Sequence, residues 1–183
     1  MEFQSGHDEF AVCNLLFKRL FNNIRIGRTN EKGEEKQIVV QCVLGQKSRI
    51  LKNLINPERR GNYKVPMIVI NRTGYQRNGD RLNNMNNEVK YEMTSYYRKY
   101  HLMPPVPIDI SYDVIIIAKY PSDIDKIATN FMVFFNSDIY VSCEHPIYQG
   151  IKMNNQVIMS DSVSEDHSDE LDGSQDDLIT ATF

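Results

Sequence analysis

The chain has 183 residues, of which 41% are hydrophobic and 25% charged, values that exclude a collagen-like or wholly disordered protein. No apolar run approaches the ~18 residues of a membrane helix, and the acidic N-terminus lacks a signal-peptide pattern, so we expect neither membrane contact nor secretion. The net charge of −3 conceals a strong segregation, because residues 47–101 carry twelve basic and four acidic side chains whereas residues 161–183 carry eight acids and no base.

The first third of the chain predicts a helix followed by a hairpin. Residues 8–23 place aromatic and aliphatic side chains at helical spacing, with acids at the start, bases near the end and Asn22-Asn23 as the stop. Residues 24–26 and 37–44 are prone to form strands, and the charged segment 29–36 predicts the turn that joins them.

The basic middle of the chain predicts fewer regular elements. Residues 48–55 suggest one or two helical turns, and residues 64–70 predict a strand in which Pro66 indicates an edge or entry position. We expect residues 71–87 to form a long polar loop of the kind that is often functional. Residues 89–100 alternate loosely and carry four Tyr, which predicts a strand or a Tyr-rich interface.

The last third of the chain contains the strongest predicted unit. After a Pro-rich linker at 104–107, residues 108–119 change from alternating to continuously apolar, which predicts a strand that passes from half-buried to buried. Residues 122–135 predict a helix, with Ser122 and Asp125 as a loose capping box. Residues 138–143 and 150–159 predict two further strands.

An acidic, Ser-rich segment at 160–177 precedes a final strand-forming stretch. The segment has too few apolar residues to order itself, so we expect a loop. The chain then stops in LITATF without a turn or polar fraying, and we expect this last strand to be truncated. Together the elements predict one α+β domain over residues 1–183, with a mixed or antiparallel β-sheet, two flanking α-helices and long polar loops.

No enzyme signature is present. The sequence lacks the phosphate-binding, dinucleotide-binding, nucleophile-elbow and zinc-protease motifs, so we expect no enzyme and no cofactor. The four scattered His and three distant Cys favour surface histidines and buried thiols over a metal site or a disulfide framework. Asp109 and Asp113 share a strand face and could act as paired carboxylates, but a solvated face explains them as well.

The candidate contact residues lie in two oppositely charged segments. The basic segment offers Arg72, Tyr75, Arg77 and Arg81, which could bind an acidic protein surface or nucleic acid, or could simply be solvated. The acidic segment offers Asp166, Asp169 and Glu170. Its negative charge would repel phosphate, which favours a protein partner.

Three stretches resemble a known family. LFNNIRIGR at 20–28, VPMIVINRTGYQRN at 65–78 and PPVPIDISYDVIIIAKYPSDIDKIATNFMVFFNSDIYV at 104–141 are similar in pattern to tail sheath stabiliser and tail terminator proteins of contractile-tailed, T4-like bacteriophages.

The resemblance implies a structural virion protein without catalysis. It would form a hexameric ring that caps the tail tube and the last sheath ring, stabilises the sheath and joins the tail to the neck. The implied partners are copies of itself, the tube protein, the sheath protein and a head-completion protein. The implied location is the tail–neck junction, after assembly in the host cytoplasm. The alternative is a nucleic-acid-associated protein that uses the basic segment 47–101.

Overall fold

The computed structural model describes ten stretches of the chain, namely residues 9–29, 33–56, 63–81, 89–91, 100–102, 106–133, 139–144, 152–159, 164–166 and 178–183. The helices of this part are α1 (Glu9–Leu20), α2 (Lys47–Ile55) and α3 (Pro121–Met132). The strands are β1 (Arg25–Thr29), β2 (Glu35–Val39), β3 (Gln41–Leu44), β4 (Met67–Arg77), β5 (Val89–Tyr91), β6 (Tyr100–Leu102), β7 (Ile108–Ala118), β8 (Ile139–Glu144), β9 (Lys152–Val157), β10 (Ser164–Asp166) and β11 (Ile179–Thr182). No helix in these stretches is long and apolar enough to cross a membrane.

A five-stranded sheet of order β10-β11-β7-β4-β3 forms the centre of the molecule. β3 runs parallel to β4, and the other neighbouring pairs are antiparallel. Residues 114–118 of β7 and 67–70 of β4 are buried, as expected for the middle strands of a sheet covered on both faces. The mixed sheet with its helices confirms the predicted α+β class.

Successive residues of β4 and β7 pack alternately into two separate hydrophobic cores. Ile68, Ile70 and Ile116 pack with Phe21, which directly follows α1, and with the apolar side of α3. Their neighbours on the opposite face, including Met67 and Ile117, pack with α2. The sheet is therefore covered by α1 and α3 on one face, called here the α1 face, and by α2 on the other. Period-two alternation in a strand produces this division.

A latch of polar contacts attaches the β1–β2 hairpin to the start of α3. Arg28 on β1 donates from Nε to both carboxylate oxygens of Asp123, at 3.2 and 3.1 Å, and its Nη2 also donates to that carboxylate. This hydrogen bonding raises the pKa of Arg28 above its usual value. Lys126 adds a bond from Nζ to the carbonyl oxygen of Gly27, at 2.7 Å. The predicted capping box is wrong: Tyr120 is the N-cap without a side-chain bond, and Pro121 begins the helix.

Several predicted elements are confirmed with adjusted bounds. The first helix ends as expected, with Asn23 at a positive φ of 68°. The hairpin at 24–44 is present, but its second strand is two strands. β2 pairs with β1, whereas β3 joins the central sheet. Val40 lies between them and donates its N–H to the carbonyl oxygen of Ile24. Pro66 precedes β4 as an entry residue and not at a sheet edge.

Three predictions in the loops and short strands are wrong. Residues 71–77 are not loop, because β4 continues through them opposite β7. The predicted single strand at 89–100 is replaced by β5 and β6, which pair with each other. The acidic segment is not loop throughout, since β10 lies within it and pairs with β11, which follows the segment. The remainder of that segment, residues 160–163 and 167–177, lies outside the described residues, as do Phe134 and Phe135 of the predicted second flanking helix.

Candidate interaction surface

β4 and β7 extend together beyond the rest of the central sheet as a two-stranded ribbon, formed by residues 72–77 and 108–112. The register pairs Arg72 with Tyr112 and Arg77 with Ile108, with a bulge between Arg72 and Gly74. β3 ends opposite Ile70, and β11 reaches only Ile115 of β7, with Phe183 bonded to Val114. Among the described strands none pairs with either outer edge of the ribbon.

One face of the ribbon combines apolar and cationic side chains. Directly paired residues of antiparallel strands share a face, which places Arg72, Tyr75 and Arg77 together with Ile108 and Ile110. Tyr75 is 65% exposed and Ile108 is 46% exposed, although both are large apolar side chains. Exposed apolar groups next to arginines are typical of protein contact surfaces.

Helix α1 supports the base of this face. The Phe10 ring lies 5.2 Å from the Tyr75 ring, and the Arg72 guanidinium lies 5.2 Å from the Phe10 ring centre. Farther along the helix, Phe17 stacks on Tyr112 at 4.3 Å. The Tyr112 hydroxyl donates a 2.7 Å hydrogen bond to the side-chain oxygen of Asn14, and burial raises the pKa of Tyr112 to about 12.

The opposite face of the ribbon is polar. It carries Asp109, and Asp113 lies on the same face of β7 one residue beyond the ribbon, which confirms that these carboxylates share a face. Asn78 donates a 2.9 Å bond from Nδ2 to Asp109. Its side-chain oxygen accepts the backbone N–H groups of Asp80 and Arg81, so Asn78 organises the turn that follows β4. In the described part no cluster of three metal-binding side chains is present, while His7, His145 and His167 lie outside it.

The predicted contact residues do not form one continuous site. Arg72, Tyr75 and Arg77 lie on the ribbon, whereas Arg81 donates a 2.7 Å bond from Nη2 to Gln156 on β9. Asp166 lies on β10 at the far edge of the sheet, and Asp169 and Glu170 lie outside the described residues.

The basic and acidic strands are separated in two directions. Along the strand direction, the register of β10 with β11 and of β11 with β7 places β10 beside residues 115–117 of β7. Arg77 pairs with Ile108, near the other end of β7. Eight residues of strand correspond to about 27 Å. β10 and the ribbon's β4 edge therefore lie at opposite edges of the sheet and toward opposite ends of its strands.

The described basic residues of the middle segment do not share one face. Lys47, Arg49 and Lys52 belong to α2, which covers one face of the sheet. Arg77 belongs to the face that continues from α1. A nucleic-acid strand favours a contiguous basic groove, which this division does not provide.

Sequence reasoning missed Phe10, Ile108 and Asn78 as parts of this surface. The dipeptide Asn78-Gly79 is a strong turn signal and could have placed the end of β4 there. The contribution of Phe10 depends on how α1 crosses the sheet, for which the sequence holds no local signal.

Comparison with known proteins identifies the family. Among curated proteins no sequence matches the chain. Residues 5–183 match the family described as T4-like virus Myoviridae tail sheath stabiliser, in agreement with the expected resemblance. Since the match spans nearly the whole sequence, the chain belongs to this family of structural proteins of the phage tail.

Proposed function

We propose that the protein closes into a hexameric ring at the head-proximal end of the contractile tail. There it caps the tail tube and the last sheath ring, stabilises the sheath and joins the tail to the neck. The observation that carries this proposal is the match to the sheath-stabiliser family over residues 5–183. The tube, sheath and head-completion proteins are its partners, residues 1–183 act as one tail-terminator-like domain, and assembly takes place in the host cytoplasm before the virion is complete.

The arrangement of the sheet supports a ring. A closed ring built head to tail needs two different surfaces on each subunit, because every copy meets one neighbour on each side. β10 and the ribbon provide two such surfaces at opposite edges of one sheet. This role requires no catalysis, and the Asp109 carboxylate is already engaged by Asn78.

The test is a reconstitution with sheathed tails that lack the protein. Adding the purified chain should place a ring of density at the head-proximal end, seen by electron microscopy, and should slow loss of sheath subunits on dilution. Tails given no protein serve as the control. Density at the baseplate end, or equal sheath loss with and without the protein, would contradict the proposal.

The solution mass tests the ring separately. Light scattering on a sizing column should show a species near six chain masses, each of 21.3 kDa. If DNA binding with a steep salt dependence appeared in place of tail binding, the nucleic-acid alternative would take precedence.

A further inference from the structure

The outer edge of the ribbon on the β4 side is basic, and none of the described strands pairs with it. Resting on the proposed ring, we infer that β10 of one subunit adds as an extra strand to the β4 edge of the next subunit's ribbon, and that the positive charge of Arg72 and Arg77 attracts this acidic strand. The juxtaposition that carries this inference is a basic edge without a partner among the described strands, on one side of the sheet, and an acidic edge strand on the other.

The ribbon consists of only two strands among the described residues. Two-stranded ribbons are marginal in water, and a third strand or a packed face is usually needed to stabilise them. Here α1 supports only one face, through Phe10 and Phe17. From Gly74 to Arg77 the β4 edge is regular and four residues long, which suits the three-residue strand β10. Backbone pairing at such an edge provides affinity, and the side chains provide specificity.

Charge selects which ribbon edge receives the acidic strand. The β4 side carries Arg72 and Arg77 and no acid between residues 71 and 79. The β7 side carries Asp109, and Asp113 follows one residue beyond the ribbon. Since β10 includes Glu165 and Asp166, it is attracted to the β4 edge and repelled by the β7 edge.

The topology makes this contact intermolecular. β10 is three strand positions from β4, and its level on the sheet differs from that of Arg77 by about 27 Å. The two open edges also point away from each other in the plane of the sheet. Each subunit can therefore donate β10 on one side and accept a neighbour's β10 on the other, which is the heterologous contact that a ring requires.

Apolar contacts complete the site. Tyr75 and Ile108 on the ribbon face, and Val106 just before β7, are 65%, 46% and 52% exposed. A neighbouring subunit that covers this edge would bury part of these side chains, so the docking combines backbone, ionic and apolar contacts.

A charge exchange tests the inference on the full chain. The variants R77E and E165K/D166K should each weaken self-association by about tenfold or more, measured by light scattering across a concentration series. An equimolar mixture of the two should regain association, because a reversed ribbon then meets a reversed strand. R49E on α2 is the matched control, an exposed arginine outside the ribbon, and it should associate like the unchanged chain.

The outcomes separate this inference from the proposed function. Unaltered association in R77E, an equal loss in R49E, or a mixture that does not recover would each overturn the docking site. A native chain that stays monomeric up to its solubility limit at low salt would overturn it too. The electron-microscopy test of tail binding could still succeed in all these cases, so the proposed function would stand or fall on its own result.

Discussion

Asp123 is 1% exposed on the first turn of α3, and its carboxylate meets the guanidinium of Arg28 on β1. Buried acids are retained in proteins when a cation and hydrogen bonds compensate for the lost water. Arg28 also lies over the Tyr120 ring, at 5.0 Å from its centre. These three side chains hold the β1–β2 hairpin against a helix about a hundred residues farther along the chain. They form the main polar attachment between these two elements.

Replacing Asp123 with Asn should destabilise the fold. The amide keeps the shape of the side chain but removes the charge that accepts the Arg28 bonds, so we expect a loss of about 1.5–3 kcal/mol in unfolding free energy. Urea denaturation monitored by circular dichroism measures it. D125N, two residues along the same helix at an exposed position, is the control and should change stability by under about 0.5 kcal/mol. Equal stability of the two variants would contradict the importance of the latch.

The thiol of Cys42 should make the free energy of unfolding depend on pH in the alkaline range. Burial raises the pKa of its thiol from 9.0 to about 11. Between these values the unfolded chain has lost the proton that the folded chain keeps, so stability is full below pH 9 and falls as the pH rises toward 11. The loss attributable to Cys42 is at most about 3 kcal/mol.

The variant C42A isolates this effect. It should be less stable than the native chain at pH 7 because a buried sulfur is removed, yet its stability should fall less between pH 8.5 and 10.5. Urea denaturation over that pH range measures the two slopes. Tyr112, whose pKa is also raised, keeps some slope in both proteins. Parallel slopes in the two proteins would contradict the assignment to Cys42.

At the scale of elements, β4 and β7 each have two different halves. Residues 67–70 and 114–117 lie between α1 and α3 on one face and α2 on the other. Residues 72–77 and 108–112 form the ribbon, with open edges. Buried, fully paired segments open only with the whole fold, whereas exposed two-stranded segments open locally.

Hydrogen exchange should therefore change sharply along one continuous strand. In the dilute, dissociated chain we expect amides of residues 68–70 to exchange at least about 100-fold more slowly than those of residues 74–77. Mass spectrometry with overlapping peptides resolves the two halves, which serve as internal controls for each other. Uniform protection along β4 would show that the ribbon is covered in the isolated subunit.

The sequence predicts elements well where local pattern and burial agree. The continuous apolar run at 114–118 and the periodic spacing of α1 and α3 correspond to buried strand and amphipathic helix. β4 beyond Ile70 is different, because its polar residues are held in a strand by pairing with β7, which is remote in sequence. The sequence of residues 37–44 likewise predicts one strand, because the change of pairing partner at Val40 depends on tertiary structure.

At the scale of the whole molecule, the sequence predicts opposite charges but not where they lie. Residues 47–101 and 161–183 are oppositely charged, and by charge alone two such segments could pair within one subunit. The strand order places β10 and the ribbon's β4 edge apart. In our proposal the attraction between β10 and the β4 edge of the ribbon therefore acts between subunits.

Self-association should weaken as salt increases. Contacts between arginines at an exposed edge and acids on an edge strand are screened within a Debye length, which falls from about 14 Å at 0.05 M to about 4 Å at 0.5 M salt. Light scattering over this range should show the association constant falling by about threefold to tenfold. The mixture of R77E with E165K/D166K should follow the same trend, since its charges are exchanged and not removed. Association that strengthens with salt would instead mean that the apolar contacts of Tyr75 and Ile108 outweigh the charges, because salt favours burial of apolar surface.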